Sequence, residues 1–191
     1  SALNGAGKYT GKTGGPGPGT SKGSCGGGDS DLNNMYCGNA PEQVLSYTAT
    51  TSSKLTFGVT TTGIIYGQAG ACDAPLDAAL YIRSVCDDTQ TELECSNKVT
   101  KNGEKVAVEV AAGQTIYLFV DGYGGDVGDF TLTMTSTFYC VSDPDCAAQA
   151  ETPLCDVSTG VCVGCQNSFE CTDPANPFCG LTQDAKQDRK S

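Results

Sequence analysis

The stretch Thr115-Ile116-Tyr117-Leu118-Phe119-Val120-Asp121-Gly122-Tyr123-Gly124-Gly125-Asp126-Val127-Gly128-Asp129-Phe130-Thr131-Leu132-Thr133-Met134 decides the fold. Ile116 to Val120 is an unbroken apolar run of strand length, which reads as a strand covered on both sides. Asp121-Gly122-Tyr123-Gly124-Gly125 is a turn signal. Beyond it Phe130, Leu132 and Met134 alternate with polar neighbours, so a second strand buries only one face.

Working outward, Leu55, Phe57 and Val59 repeat the same period of two, as do Val106, Val108 and Val110. Asn102-Gly103 and Ala112-Gly113 mark further turns. From about Gln43 to Tyr139 the chain reads as seven or eight short strands with no amphipathic helix. The predicted fold is all-β, an antiparallel β-sandwich or jelly roll. Burying a dozen apolar side chains at roughly 1.5–3 kcal/mol each can support such a domain alone.

The flanks differ. Residues 1–24 are rich in Gly, Pro, Ser, Thr and Lys, including Gly14-Gly15-Pro16-Gly17-Pro18-Gly19, and read as an extended arm without a core of its own. After Tyr139 the spacing Cys140-x5-Cys146-x8-Cys155-x6-Cys162 is followed by Cys165-x5-Cys171-x7-Cys179. A shift of 25 residues superposes Cys140 on Cys165 and Cys146 on Cys171, and Cys155 meets Cys179 after one deletion. This is an internal duplication whose second copy lacks a fourth cysteine near Lys186. The organisation expected is an arm (1–24), a sandwich (25–139), a disulfide-rich tandem repeat region (140–182) and a polar tail (183–191).

The chain of 191 residues carries twelve cysteines, which suit an oxidising compartment. Cys25, Cys37, Cys72, Cys86, Cys95, Cys140, Cys146, Cys155, Cys162, Cys165, Cys171 and Cys179 all read as structural disulfide partners. Cys86 and Cys95 flank a short polar loop, and a local bridge between them is expected. Cys162-Val163-Gly164-Cys165 has the spacing of a zinc knuckle or redox pair, but the meeting of two repeats explains it more simply. Ser1-Ala2-Leu3-Asn4 reads as a mature end left after signal cleavage, and no apolar run approaches membrane-spanning length.

A formal net charge of −11 argues against nucleic acid as a partner. The complete absence of histidine removes the usual general base of Ser and Cys hydrolases and the commonest ligand of catalytic zinc. No signature supports another chemistry, and the expectation is a protein that is not an enzyme and requires no cofactor. Calcium is the one ion the loops suggest. Asp121, Asp126 and Asp129 share a Gly-rich turn, and Asp73 and Asp77 lie near the start of another strand. Solvated loops are the plainer account of the same residues.

The segment from Ala40 to Thr137 resembles the bacterial pre-peptidase C-terminal domain. The likeness is carried by Ala40-Pro41-Glu42-Gln43-Val44, Leu76-Asp77-Ala78-Ala79-Leu80-Tyr81-Ile82-Arg83-Ser84-Val85-Cys86, Leu93-Glu94-Cys95, Ala112-Gly113-Gln114-Thr115-Ile116-Tyr117, Val120-Asp121-Gly122-Tyr123 and Gly128-Asp129-Phe130-Thr131-Leu132. The Cys-rich tail looks like repeats that follow such domains in myxobacterial secreted proteins. The resemblance implies a jelly roll, often an accessory module beside a secreted enzyme, in a family where some members bind calcium or polymers such as collagen. It also supports the Cys86–Cys95 bridge. Ser96-Asn97 departs from the family, which usually places an acidic Asn-Asp cluster there.

Two functions follow as expectations. The first is a non-catalytic secreted structural protein, a subunit of an extracellular, filament-like assembly outside a bacterial cell or at its surface. Fixing a backbone costs roughly 1–2 kcal/mol per residue, so an arm of this composition is ordered only where something holds it. Self-association through Lys8, Tyr9, Thr10, Gly11, Lys12 and Thr13, added to an open sheet edge of a neighbouring subunit, is the route expected. The second is an accessory module that holds a larger secreted protein on an extracellular polymer or matrix.

Overall fold

A computed structural model describes residues 1–14, 23–25, 42–61, 76–97, 103–122, 127–149 and 152–164. The chain divides into two compact units between Thr137 and Phe138.

The first unit is built from eight strands: β1 (Gly7–Lys12), β2 (Gln43–Thr48), β3 (Ser53–Thr61), β4 (Ala78–Arg83), β5 (Glu92–Ser96), β6 (Glu104–Val110), β7 (Thr115–Gly122) and β8 (Asp129–Phe138). They form two four-stranded sheets, ordered β2-β7-β4-β5 and β1-β8-β3-β6. Those orders, with antiparallel pairing in every ladder described, are those of a jelly roll. The predicted fold class is the one observed.

The apolar periodicity is read out directly. Leu55, Phe57 and Val59 are buried, as are Phe130, Leu132 and Met134, while Val106 and Val110 are buried with Val108 packed beside them. Ile116, Leu118 and Val120 project from the opposite sheet into the same core. Phe119 is also buried, on the other face of β7, because β7 lies second in its sheet and both faces are covered. β4, its neighbour, is buried at all six positions. Leu80 and Ile82 enter the core, and Ala79, Tyr81 and Arg83 line the outer face. There the Tyr81 and Phe119 rings stack at 4.7 Å, and the Arg83 guanidinium lies 5.1 and 4.7 Å from their centroids. The chain crosses between sheets from β6 to β7 at Ala111–Gln114, where Gly113 takes φ +81° and donates to the carbonyl of Ala49 at 2.7 Å.

Two readings are corrected. Cys95 is bonded to Cys25, 70 residues away, and Cys86 is a free thiol. The β4–β5 register sets Cys95 opposite Tyr81 and Leu80 opposite Ser96. The register shifts by one residue at Arg83, which lies opposite Glu92, and continuing it would put position 89 across from Cys86, so closeness in sequence did not become closeness across the hairpin. The arm, in turn, is no mere tether: its residues 7–12 form a strand of the sandwich.

The second unit, as described from Phe138 to Gly164, uses sulfur where the first uses hydrocarbon. β9 (Leu154–Asp156) and β10 (Val161–Val163) form a short hairpin, with Cys155 opposite Cys162. Cys140–Cys155 and Cys146–Cys162 interleave, and Cys140 and Cys146 are fully buried. A 3-10 turn at Asp143–Cys146 is held by the Asp145 carboxylate, which accepts from the amides of Val141 and Ser142 at 2.9 and 3.0 Å. Asp143 accepts from the Cys155 amide at 2.8 Å and ties that turn to the hairpin. Hydrogen bonds from Ser158 and Thr159 hold the Asp156 carboxyl below its ordinary pKa. The second copy of the duplication, with Cys165, Cys171 and Cys179, lies outside the described residues, as do Cys37 and Cys72.

A bridge that closes a loop of this length restricts the unfolded chain strongly. Replacing Cys25 and Cys95 together by serine is expected to lower the unfolding free energy by roughly 2–4 kcal/mol in a urea titration. An unchanged midpoint would show that the bridge does not hold the first unit together.

Candidate functional site

The candidate site is the side of the sandwich closed by the N-terminal arm. Its first residues lie along β2: the Ser1 ammonium donates to the Val44 carbonyl at 3.0 Å, the Ser46 amide to the Ser1 carbonyl at 2.8 Å, and the Leu3 amide to the Ser46 carbonyl at 2.8 Å. Ala2 and Ser46 form a parallel bridge, and Leu3 is buried in the core. The chain then passes to the other sheet. The Tyr9 hydroxyl donates to the Gly5 carbonyl and accepts from the Asn4 amide at 3.2 Å, which fixes the crossing. One short segment thus laces both sheets together.

From Gly7 to Lys12 the arm is the edge strand of the second sheet, antiparallel to β8, in a register running from Gly7 opposite Met134 to Lys12 opposite Asp129. Tyr9 faces the core, while Lys8, Thr10 and Lys12 face solvent. The Lys12 amide donates away from β8, to the Gln43 side chain at 3.0 Å. Gly11 lies flush on the Phe130 ring, where an added Cβ would come within 2.4 Å of Cζ and 2.3 Å of Gln43 Oε1. Thr13 is fully buried. Its amide donates to the Gly128 carbonyl at 3.0 Å, and its hydroxyl accepts from the Gly128 amide at 3.1 Å.

Lys8 to Thr13 were expected to add to a sheet edge of a neighbouring subunit; Gly7–Lys12 pairs instead with β8 of its own chain. Composition concealed this because Gly7 and Gly11 look like tether residues. Gly11 is there because the Phe130 ring leaves no room for a side chain.

The arm is anchored a second time at Gly23–Cys25, across the other sheet. Gly23 packs on Tyr81, Cys25 is bridged to Cys95 on β5, and the Ser24 amide donates to Glu92 at 3.0 Å. The nearby Cys86 thiol is held above its ordinary pKa, chiefly by burial and then by Asp87, so it stays protonated and a poor nucleophile at neutral pH.

Of the carboxylates suggested for calcium, Asp77, Asp121 and Asp129 are among the described residues, and they lie on or beside different strands. Asp73 and Asp126 lie outside the described residues. Asp121 is buried on β7, accepting from the Gly122 amide at 2.8 Å, whereas Asp129 is exposed on β8 of the other sheet, opposite Lys12. Asp77 instead neighbours Glu104, a residue the sequence did not single out. Glu104 is buried and accepts from the Ser96 hydroxyl at 2.6 Å. Among the described residues, the three potential metal ligands that converge are Cys140, Cys146 and Cys155, whose sulfurs are engaged in disulfides.

No family model matches the chain, and no curated protein matches it. Among solved structures it is similar to the pre-peptidase C-terminal domain of a collagenase from Bacillus anthracis, with 12% identity over 70% of this chain and 92% of that one, and a TM-score of 0.44. It is also similar to PliG, a periplasmic inhibitor of g-type lysozyme from Aeromonas hydrophila, with 10% identity over 71% and 90% of the two chains, and a TM-score of 0.36.

Two outcomes are expected. Gly11→Ala forces Phe130 or the arm to move, so amide exchange along Gly7–Lys12 should accelerate by about tenfold or more while β4 and β7 keep their protection. Equal protection in the variant would show that the close approach is unimportant. Burial first, then Glu104, raises the Asp77 pKa, so the folded state holds that proton more tightly than the unfolded chain. The stability it contributes is present at low pH and is lost as pH rises from the ordinary carboxylate value through the raised one. Asp77→Asn should therefore be more stable than the parent at neutral pH, with the advantage vanishing in acid. Chemical denaturation at both pH values measures it.

Proposed function

We propose that this chain is a non-catalytic structural subunit of an extracellular assembly, with the N-terminal arm as its connector. The observation that supports this reading is the place of β1 in the jelly roll. Seven strands, β2 to β8, run from Gln43 to Phe138, and the eighth is supplied by an arm that the residues between Lys12 and Gln43 separate from them. A strand held by no tight turn is a strand that another copy can supply.

The disulfides Cys25–Cys95, Cys140–Cys155 and Cys146–Cys162 suit a location outside the cytoplasm, where such bonds persist. The lack of histidine and the filled apolar core suit a passive role. A second reading, an accessory module that binds an extracellular polymer, draws on a shallow depression of about 550 Å³ beside the arm. Thr10, Lys12, Thr60, Asp129, Phe130 and Thr131 line it, and its hydroxyls and charged groups are of the kind that hydrogen-bond a sugar polymer.

Light scattering and negative-stain microscopy of the purified chain decide between them. The assembly reading expects particles heavier than one 19.6 kDa chain, lost when residues 1–14 are removed. A uniform monomer at every concentration, cosedimenting with an insoluble polysaccharide or collagen, would replace it with the second reading.

A further inference from the structure

We infer that β1 is exchanged between copies: the strand that fills the β8 edge of one subunit is the Gly7–Lys12 segment of another. The inference rests on the assembly reading and names the contact that carries it.

The acceptor fits this sequence closely. It offers the Phe130 ring to Gly11, a buried niche with reciprocal bonds at Gly128 to Thr13, and a core position to Tyr9. Only a second copy of the chain brings the same strand. Every contact between β1 and β8 is the same whichever copy donates, so the closed and exchanged forms differ only in the tether and in concentration.

The tether sets how far the arm can reach. Residues 15–22 join Gly14, packed beside Val127, to Gly23, packed on Tyr81. That stretch begins Gly15-Pro16-Gly17-Pro18-Gly19. It spans at most about 30 Å. The Cys25–Cys95 bridge fixes its far end to β5, so the acceptor is an adjoining copy and not a distant one. Meanwhile Lys8 and Lys12 stand on the solvent-facing side of β1, and charged side chains on an edge strand discourage further strands from adding there. Exchange at β8 is the strand-mediated contact that remains on this side.

Lys12 and Asp129 sit opposite each other across the β1–β8 ladder and can be joined by a zero-length carbodiimide cross-link without altering the sequence. Full-length chain, half of it labelled with nitrogen-15, is co-assembled, cross-linked and digested. Exchange predicts that about half of the Lys12–Asp129 linked peptides carry one labelled and one unlabelled partner. Isotopically pure pairs inside multi-subunit particles would overturn exchange and leave the assembly reading standing. Pure pairs in a monomer would overturn both. The K8C/T133C variant provides a second readout. The outward amide of Lys12 marks the Lys12–Asp129 pair as non-hydrogen-bonded, and alternation gives Lys8–Thr133 the same geometry, which accommodates a disulfide. Exchange predicts covalent multimers on a non-reducing gel, and a cross-linked monomer alone contradicts it.

Discussion

A jelly roll of eight strands must close on itself at the side where the first strand meets the last, and here that closure hangs on the ladder between Gly7–Lys12 and Asp129–Met134. Without it the backbone of β8 would present an unpaired row of donors and acceptors to water. The core residues it carries, Phe130, Leu132 and Met134, would lie at the rim. The arm answers this demand twice, by pairing with β8 and by pinning Leu3 and the Ser1 ammonium onto β2 of the facing sheet. Both sheets therefore depend on fourteen residues that contribute only Leu3 and Tyr9 to the apolar core.

The two units solve the problem of cohesion with different materials. In the first, the twofold-covered strands β4 and β7 gather enough hydrocarbon to organise the rest, and among the described residues the long-range Cys25–Cys95 bridge adds to them. In the second, described over fewer than thirty residues, apolar side chains such as Val157 and Val161 stay exposed. Two interleaved bridges and a set of aspartate caps take their place, as expected where a core is too small to hold a fold.

Much of the architecture was legible in the order of residues. The run Ile116–Val120 announced a strand covered on both faces, and the alternation at Leu55–Val59 and Phe130–Met134 fixed which face turns inward. Two things were hidden. The Cys86–Cys95 spacing suggested a local bridge, but pairing across a hairpin is set by its register, which puts Cys95 opposite Tyr81. The strand at Gly7–Lys12 was masked by glycines whose purpose depends on Phe130, far away in sequence. Composition records what a segment lacks, not what it lies against.

The orientation of the arm also has a mechanical side. A pull on β1 along its own axis loads the rungs of the β1–β8 ladder together and not one after another, because antiparallel bonds lie perpendicular to the strands. Beyond Gly14 the load passes along the chain to the covalent anchor of Cys25 on β5. An arm anchored in this way is held at both ends, by the ladder on β8 and by the bridge on β5, so its extension is bounded by a covalent bond.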